Sequence, residues 1–519
     1  MTVSVYNGNP LLKSKGISIS WDKEKVEEYV KCSKDPIYFI EKYIKIITVD
    51  DGEQPMKLFP YQKKIVQSLH KNRKTAAIIC RQAGKTTVVA AFVCWYVIFH
   101  EAKTVAILAN KAITAREILS RVQFAYERLP NWIQQGVVEW NKGSFILENN
   151  SRVLAASTSS SAVRGFSCSM LLLDEYAFVP NTVADEFFAS VYPTIASGKE
   201  SKVAIISTPN GMNHFYKIIK EAESGLNGFT VTKAIWSDVP GRNKKWERDM
   251  RATLGDAKFE QEMNCEFVGS SNTLLSSASL RSLVIESPVF ESLDSSMRIY
   301  ENPSPDKNYV ITVDVSRGVG GDNTVISVFS IKETPYRLVA QFASNLVNFI
   351  ELPPVITDIA IKYNNAYVLI ESNDLGEAVA TSMYMDMEYE NLLYSSGHEV
   401  SFSARENYGL KTTARTKLVG CNTLKSLLES DQLVVGDSDS ILELSNFVRS
   451  KGSFAADSGG HDDRVMTLVL FSYLTTQKVF SELTDSSAIN KILINKEKDL
   501  EFLMKPVGYM SDGIQEDFN

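Results

Sequence analysis

The run Cys80-Arg81-Gln82-Ala83-Gly84-Lys85-Thr86, with Thr87 following, carries the residue types that hold a nucleotide's phosphates. Such a cradle needs a tight turn, backbone N–H groups facing the anion, a Lys for the β- and γ-phosphates and a hydroxyl for magnesium. Gly84, Lys85 and Thr86 supply turn, cation and hydroxyl. The first Gly of the G-x-x-x-x-G-K-T pattern is missing, with Ile79 or Cys80 near its place. Arg81 lies inside the loop, so its guanidinium can reach a γ-phosphate and stabilise transition-state charge in cis. A salt bridge to a neighbouring acid is the plainer use for it.

Three further segments extend this chemistry. Met170 to Leu173 is an apolar run ending in Asp174-Glu175. Two acids at the end of a buried strand suit Asp174 to Mg²⁺ and Glu175 to orienting and deprotonating a water. Either acid alone would read as a cap or a surface charge. Ser207-Thr208-Pro209-Asn210-Gly211 follows another apolar run. It is turn chemistry, and Ser207, Thr208 and Asn210 also stand where a γ-phosphate could be sensed and relayed. Phe59-Pro60-Tyr61-Gln62 lies some twenty residues before the loop. The Gln62 amide beside Tyr61 is a candidate adenine reader, and a helix start after Pro60 is the alternative.

A second set of acids lies downstream. Asp314 ends the apolar run 309–313, Glu371 ends 367–370, and Asp462-Asp463 open a helical stretch. Carboxylates at the ends of apolar strands are costly unless they meet a cation. Convergent acids of this kind hold two Mg²⁺ or Mn²⁺ that clamp a phosphodiester for attack by water. Asp322, on the next hairpin, could complete the set, and either Asp462 or Asp463 could be the first ligand. His461 could assist a proton transfer. Helix capping is the alternative for Asp462. Lys411, Arg415, Lys417, Arg449 and Lys451, and in the first half Arg242, Lys244, Lys245 and Arg248, read equally as DNA-facing groups or as solvated helix faces.

These residues need two kinds of frame. From Thr75 onward strands and helices alternate, which predicts a parallel sheet with helices on both faces. After a Ser-rich stretch with Pro303 and Pro305, three strands with short turns (309–313, 324–331, 337–342) predict an antiparallel meander, then a helix and the strand 367–370. The expected class is α/β: a RecA-like P-loop domain over 1–275, with a helical subregion at 20–55; a linker over 276–305; a ribonuclease-H-like mixed-sheet domain over 306–478; and a tail over 479–519. Residues 1–20 read as a loose arm.

Composition bounds the rest. A chain of 519 residues exceeds one ordinary core. No apolar run reaches the roughly 18 residues of a membrane span, and Met1-Thr2-Val3-Ser4 lacks a secretory pattern. Six cysteines without paired spacing read as reduced cytosolic thiols rather than a zinc site. A net charge of −7 argues against electrostatic coating of nucleic acid, though not against local basic patches.

In order and spacing, Tyr61-Gln62, Arg81 to Thr86, Leu171 to Glu175, Ser207 to Asn210, Asp314, Glu371 and His461 to Asp463 resemble the large terminase subunit of tailed bacteriophages, of the myovirus type. Phe259 to Glu262, running to Glu266-Phe267, is similar to the end of that family's first domain. The resemblance covers about 35–475. It implies a DNA-packaging motor in which ATP hydrolysis drives double-stranded DNA into an empty capsid. It also implies a nuclease that cuts concatemeric DNA at initiation and termination. Implied partners are the portal protein, a small terminase subunit and further copies in a ring of five; the implied place is the host cytoplasm, docked on the procapsid and absent from the mature virion. Implied roles are Gln62 for adenine, Arg81 as cis arginine, Lys85, Thr86 and Asp174 for phosphate and Mg²⁺, Glu175 for catalysis, Thr208 for coupling, and Asp314, Glu371 and Asp462 or Asp463 for nuclease metals. A helicase-nuclease is the competing reading. It needs a second RecA-like domain with its own arginine motif, where this chain carries acids on strands.

Overall fold

The computed structural model describes residues 5–484, apart from 49, 160–166, 181–182, 185–186, 188–189, 191–197, 199, 269–272, 403–406, 451 and 458–459. The chain forms two compact units. One holds Met1–Ser287 with Asp437–Ser450 and Ala455–Asp462, the other Pro288–Gly436 with Lys451–Phe454 and Asp463–Asn519.

The first unit opens on a hairpin, β1 (Val5–Tyr6) and β2 (Asn9–Lys13), where the sequence suggests a loose arm. Leu12 is buried, and the Lys13 N–H donates to Gln134 Oε1 at 3.1 Å. That partner is 121 positions away, beyond any local pattern. Helices α1 (Lys23–Lys34) and α2 (Pro36–Tyr43) follow. Asp35 separates them, accepting from the N–H groups of Ile37 and Tyr38, and Pro36 starts the second. The helical subregion ends there: β3 (Lys45–Thr48) and β4 (Gly52–Pro55) pair as a hairpin within the stretch expected to be helical.

The main layer follows as α3 (Pro60–Lys71), β5 (Lys74–Ile79), α4 (Lys85–Phe99), β6 (Thr104–Ala109), α5 (Ala112–Glu127), β7 (Val137–Trp140), β8 (Ser144–Leu147), β9 (Arg152–Ser157), β10 (Met170–Asp174), β11 (Lys202–Ser207), α6 (His214–Glu223), β12 (Thr230–Ala234), α7 (Lys244–Leu254), α8 (Asp256–Glu262) and α9 (Ser277–Ser282). The sheet order is β12-β5-β11-β10-β6-β9-β8-β7. From β12 to β9 the strands are parallel; β8 and β7 turn back antiparallel. All five residues of β10 are buried, as in strands covered on both faces, so its apolar run does not alternate. Helix α4 is buried from Val88 to Ile98 without a polar face, the mark of a central helix.

Register sets the functional edge. Asp174 pairs with Ala109 on β6 and Ile206 on β11, and Ser207 pairs with Ile78 on β5. The carboxyl ends of β5, β11 and β10 are therefore flush, and open α/β sheets bind ligands outside that edge.

The second unit contains β13 (Phe290–Glu291), β14 (Met297–Ile299), β15 (Tyr309–Asp314), β16 (Thr324–Ser330), β17 (Tyr336–Ser344), α10 (Leu352–Lys362), β18 (Tyr367–Ile370), α11 (Gly376–Met385) and α12 (Ala414–Glu429). Helix α13 (Ser438–Ser445) returns to the first unit; α14 (Asp463–Thr475) and α15 (Lys478–Thr484) complete the second. Its sheet runs β13-β14-β17-β16-β15-β18, antiparallel along this path except for the parallel pair β15–β18, and the short strand Leu433–Val434 adds parallel to β17. The meander and the parallel fourth strand are those expected, in the ribonuclease-H-like order.

Three boundaries differ from the sequence expectation. The stretch 276–305 is not a free linker: α9 belongs to the first unit, and β14 pairs with β17 at the rim of the second unit's sheet. The stretch 306–478 is not one continuous unit, since α13 clusters with the first. The expected tail does not start at 479, because Val479, Phe480 and Leu483 of α15 are buried. Phe480 meets Phe471 and Tyr336 edge-on, with ring centroids 5.9 and 5.3 Å apart. The remainder of the expected tail, 485–519, lies outside the described residues. Among the described residues no helix is long and apolar enough to cross a membrane.

Candidate functional site

The phosphate loop turns tightly between β5 and α4. Gly84 has φ of +72°, and a Cβ there would come within 3.0 Å of Gln62 Nε2. Only glycine meets both demands without strain. Gln82 also takes a positive φ, 56°. Lys85 starts α4, whose first-turn N–H groups have no helical acceptor and form an anion site.

The two acids close on this loop. Thr86 Oγ1 donates to Asp174 Oδ2 at 3.4 Å, and Lys85 Nζ lies 3.9 Å from Glu175 Oε1. Burial pushes the Asp174 carboxyl above its ordinary range, with the Lys85 charge opposing the shift. Glu175 adopts φ 51° and ψ 38°, a left-handed conformation that costs a non-glycine residue roughly 1–3 kcal/mol. Its neighbours hold it there. Ala177 N–H donates to Ser207 Oγ at 3.1 Å, and Asn210 and Asn213 both donate to Ala177 O. Behind the turn, Tyr176 OH meets His214 Nδ1 at 3.3 Å. Burial depresses His214 to about 3, so it is neutral at ordinary pH. The segment after β11 is thus tied to the strand end that carries Glu175. Ser207 and Asn210 make the ties, and Thr208 is buried between them.

Some expected contacts differ. The Gln62 amide is engaged with the protein at both ends: Oε1 accepts from Phe59 N–H at 3.0 Å, and Nε2 donates to Ala83 O at 3.2 Å. Tyr61 OH donates to the same carbonyl at 2.7 Å. These residues brace the phosphate loop in this structure. Thr87 Oγ1 accepts from Arg121 at 3.0 Å and lines a cavity with α5 instead of the loop. Arg81 points to Glu262, 3.9 Å away, with its side chain 65% exposed.

Sequence alone places Arg242 in a basic run facing DNA or solvent, and its contacts with the loop go unseen. It stacks over Trp246, with the guanidinium 4.6 Å from the ring centroid, and donates to the carbonyls of Arg81 and Gln82 at 3.2 and 3.0 Å. Capping loop carbonyls leaves the loop's N–H groups as its outward polarity. Lying 160 positions away, Arg242 gave no local signal beyond belonging to a basic run.

The second set of carboxylates converges in the other unit. Asp314, Asp322 and Asp463 line one pocket, together with Arg317 and Asp374. Carboxylate oxygens of Asp322 and Asp463 lie within 4.8 Å of each other. Parallel pairing of Val313 with Ile370 sets Glu371 beside Asp314, and the Glu371 N–H donates to Val313 O at 2.9 Å. Gly376 makes room for that strand end, since a Cβ there would fall 1.7 Å from Glu371 O. Asn373 Nδ2 donates to Glu371 Oε1 and to Thr412 O, both at 3.1 Å, which fixes the carboxylate. Asp463 Oδ2 accepts from the Asn323 backbone at 2.7 Å, joining the head of α14 to the β15–β16 loop.

A buried polar chain docks α14 on the sheet. Thr312 Oγ1 donates to Thr467 O at 2.9 Å, Ser327 Oγ meets Thr467 Oγ1 at 2.7 Å, and Gln341 reaches Ser327 Oγ at 3.0 Å. Arg464 donates to Gln341 Oε1. Satisfied networks of this kind fix one register, and so place Asp463 over the end of β15. Asp462 precedes α14, on the stretch that clusters with the first unit, and Asp463 is the member of the pair that lines the pocket. Lys411 and Arg415 are exposed; Lys451 lies outside the described residues.

Both donor sets suit hard cations. An ammonium, a hydroxyl and a buried carboxylate fit magnesium bound to nucleotide phosphate, and clustered aspartates fit one or two divalent ions.

Fold and sites together define a P-loop NTPase unit and a ribonuclease-H-like unit on one chain. Comparison with known proteins agrees. The family model described as terminase large subunit, T4likevirus-type, N-terminal, matches 77–281, and the terminase RNaseH-like domain matches 311–472. Between them they cover most of the chain, which belongs to the terminase large subunit family. The large subunit of Thermus phage G20c is 27% identical over 329 residues, 59% of this chain and 62% of that one; that of Thermus virus P23-45 gives the same figures. The match therefore spans about 62% of the length of these relatives. Among solved structures, the HK97 bacteriophage large terminase is 15% identical with a TM-score of 0.48, over 85% of this chain and 99% of that one. The large terminase nuclease of thermophilic phage G20c, solved with bound cobalt, is 22% identical with a TM-score of 0.32, over 40% and 98%.

Proposed function

We propose that this protein is a viral DNA-packaging motor: ATP hydrolysis in the first unit drives double-stranded DNA into a procapsid, and a metal-dependent endonuclease in the second cuts concatemeric DNA. The observation that supports this most directly is the flush carboxyl edge of β5, β11 and β10, which gathers Lys85, Thr86, Asp174, Glu175 and Ser207. The cofactors are ATP with Mg²⁺, and one or two Mg²⁺ or Mn²⁺ ions at Asp314, Asp322, Asp463 and the adjoining Glu371. When bound, divalent ions supply Lewis-acid charge at the reacting phosphate oxygens. Lys85 and the first-turn N–H groups of α4 hold the nucleotide's phosphates, Thr86 and Asp174 form the cation's seat, and Glu175 orients and deprotonates the attacking water. Asp462, at the head of α14, is the weaker candidate of its pair. The working assembly is a ring of copies, five by family resemblance, on the portal protein, assisted by a small terminase subunit. It acts in the host cytoplasm and leaves before the virion matures.

The test is plasmid digestion with and without Mg²⁺, run beside DNA-stimulated ATP hydrolysis on one preparation. Both activities are expected, and absence of either overturns the reading of the corresponding unit. Arg81→Ala is expected to slow hydrolysis by about 10³-fold, the scale of a lost arginine finger, while nucleotide binding changes far less. Single-turnover phosphate release against equilibrium binding separates the two. Equal losses would make Arg81 a binding residue.

A further inference from the structure

We propose that Glu262 and Gln261, adjacent on the last turn of α8, form a relay between Arg81 in the phosphate loop and the segment Pro209-Asn210 that follows β11. The relay rests on the reading of Arg81 as the cis arginine.

Glu262 meets the loop twice. Its carbonyl accepts from the Arg81 N–H at 2.9 Å, and its carboxylate lies 3.9 Å from the Arg81 guanidinium. One position earlier, Gln261 Nε2 donates to Pro209 O at 3.0 Å and approaches Asn210 Oδ1 at 3.5 Å. Asn210 donates in turn to Ala177 O at 3.3 Å, two residues past Glu175. A single helical turn therefore touches both the arginine and the loop that braces the catalytic acid.

The pair is asymmetric. The Glu262 side chain is 6% exposed and the Arg81 side chain 65%. The carboxylate is fixed, whereas the arginine has room to move. Arg81 has two anions within its choice, the Glu262 carboxylate and a nucleotide's terminal phosphates, and they compete for its guanidinium. When Arg81 leaves, Glu262 keeps, among the described residues, only Lys258, 3.1 Å away, as a charge partner. A nearly buried carboxylate that loses a cation is left underpaired, which favours displacement of the turn that carries it.

The surroundings are built to move as one piece. Phe259 and Met263 pack on Trp236, which stacks on Trp246 with ring centroids 5.8 Å apart. Arg251 lies over the Phe259 ring and pairs with Asp256 and Glu260, both at 2.9 Å. Displacement of the Glu262 turn therefore carries Gln261 with it. By reciprocity, whatever biases Pro209-Asn210 also biases the partner that Arg81 takes. Glu262 and Gln261 are positioning residues, since neither touches the reacting atoms.

The test is a double-mutant cycle on the full chain, reading KM for ATP and DNA-stimulated turnover. Glu262→Gln keeps size and hydrogen bonding but removes the charge that competes for Arg81. It is expected to lower KM about threefold, the scale of a partly exposed ion pair, and to reduce stimulation by DNA. In the Arg81→Ala background the same change should leave KM unaltered. Glu262→Asp, which restores the charge, should return KM to near its original value. Equal effects of Glu262→Gln in both backgrounds would overturn the relay while leaving the arginine reading intact. Unchanged turnover in Arg81→Ala alone would overturn the arginine reading, and the relay with it.

Discussion

Glu175→Gln is expected to abolish ATP turnover, by roughly 10²–10⁴-fold or more, while DNA cutting by the same preparation continues at its original rate. Glutamine keeps the shape of the side chain and its reach toward Lys85, 3.9 Å away, but cannot take a proton from water. The left-handed backbone at this position costs glutamine as much as glutamate, so the turn held by Ser207, Asn210 and Asn213 is not disturbed. Nucleotide binding should survive, because Lys85, Thr86 and Asp174 are untouched. The carboxylates of the other site lie in a different compact unit, which is why cutting is spared. Phosphate release and plasmid digestion, measured side by side, check both halves. An undiminished rate of phosphate release would remove Glu175 from its role, whatever the loop binds.

Much of this site is legible in sequence for a physical reason. Buried parallel strands must be continuous apolar runs, so Met170 to Leu173 announces both the strand and the edge at which its acids stand. Asp314 and Glu371 are legible in the same way, as charges ending buried strands. What stays hidden is contact made over long separations. Arg242 bonds to loop carbonyls 160 and 161 positions upstream, and no pattern near residue 242 records it. Gln62 stands out in the sequence, and its contacts with the loop do not. A glutamine two residues after a proline also suits a helix start, and there its amide serves the Phe59 N–H and the Ala83 carbonyl. Which of Asp462 and Asp463 lines the pocket depends on the docking of α14, which rests on Thr312, Ser327, Gln341 and Thr467 spread across three strands and a helix. Boundaries failed where a short element finds a distant partner. Strand β14 has three residues and pairs with β17, and α15 has seven and buries three of them.

Asp314→Ala is expected to abolish metal-dependent DNA cleavage and to leave ATP hydrolysis unchanged. Asp314 ends β15, between β16 on one side and the parallel β18 on the other, so its backbone position is fixed by two strands. The side chain is only partly buried, and its removal opens no core cavity. Stability should therefore shift little, within about 0.5 kcal/mol, the usual range for such sites. The loss falls on charge. Asp322 and Asp463 remain in the pocket, but the acid at the end of β15 is gone, and the residues left would hold divalent ions less well. Asp463→Ala should match this loss because it lines the same pocket, whereas Asp462→Ala should retain most cutting. Plasmid digestion across Mg²⁺ and Mn²⁺ concentrations reads all three variants, with phosphate release as the control for folding. Mg²⁺-dependent cutting retained in Asp314→Ala would exclude that residue from the site. Loss in Asp462→Ala without loss in Asp463→Ala would reverse the assignment within the pair.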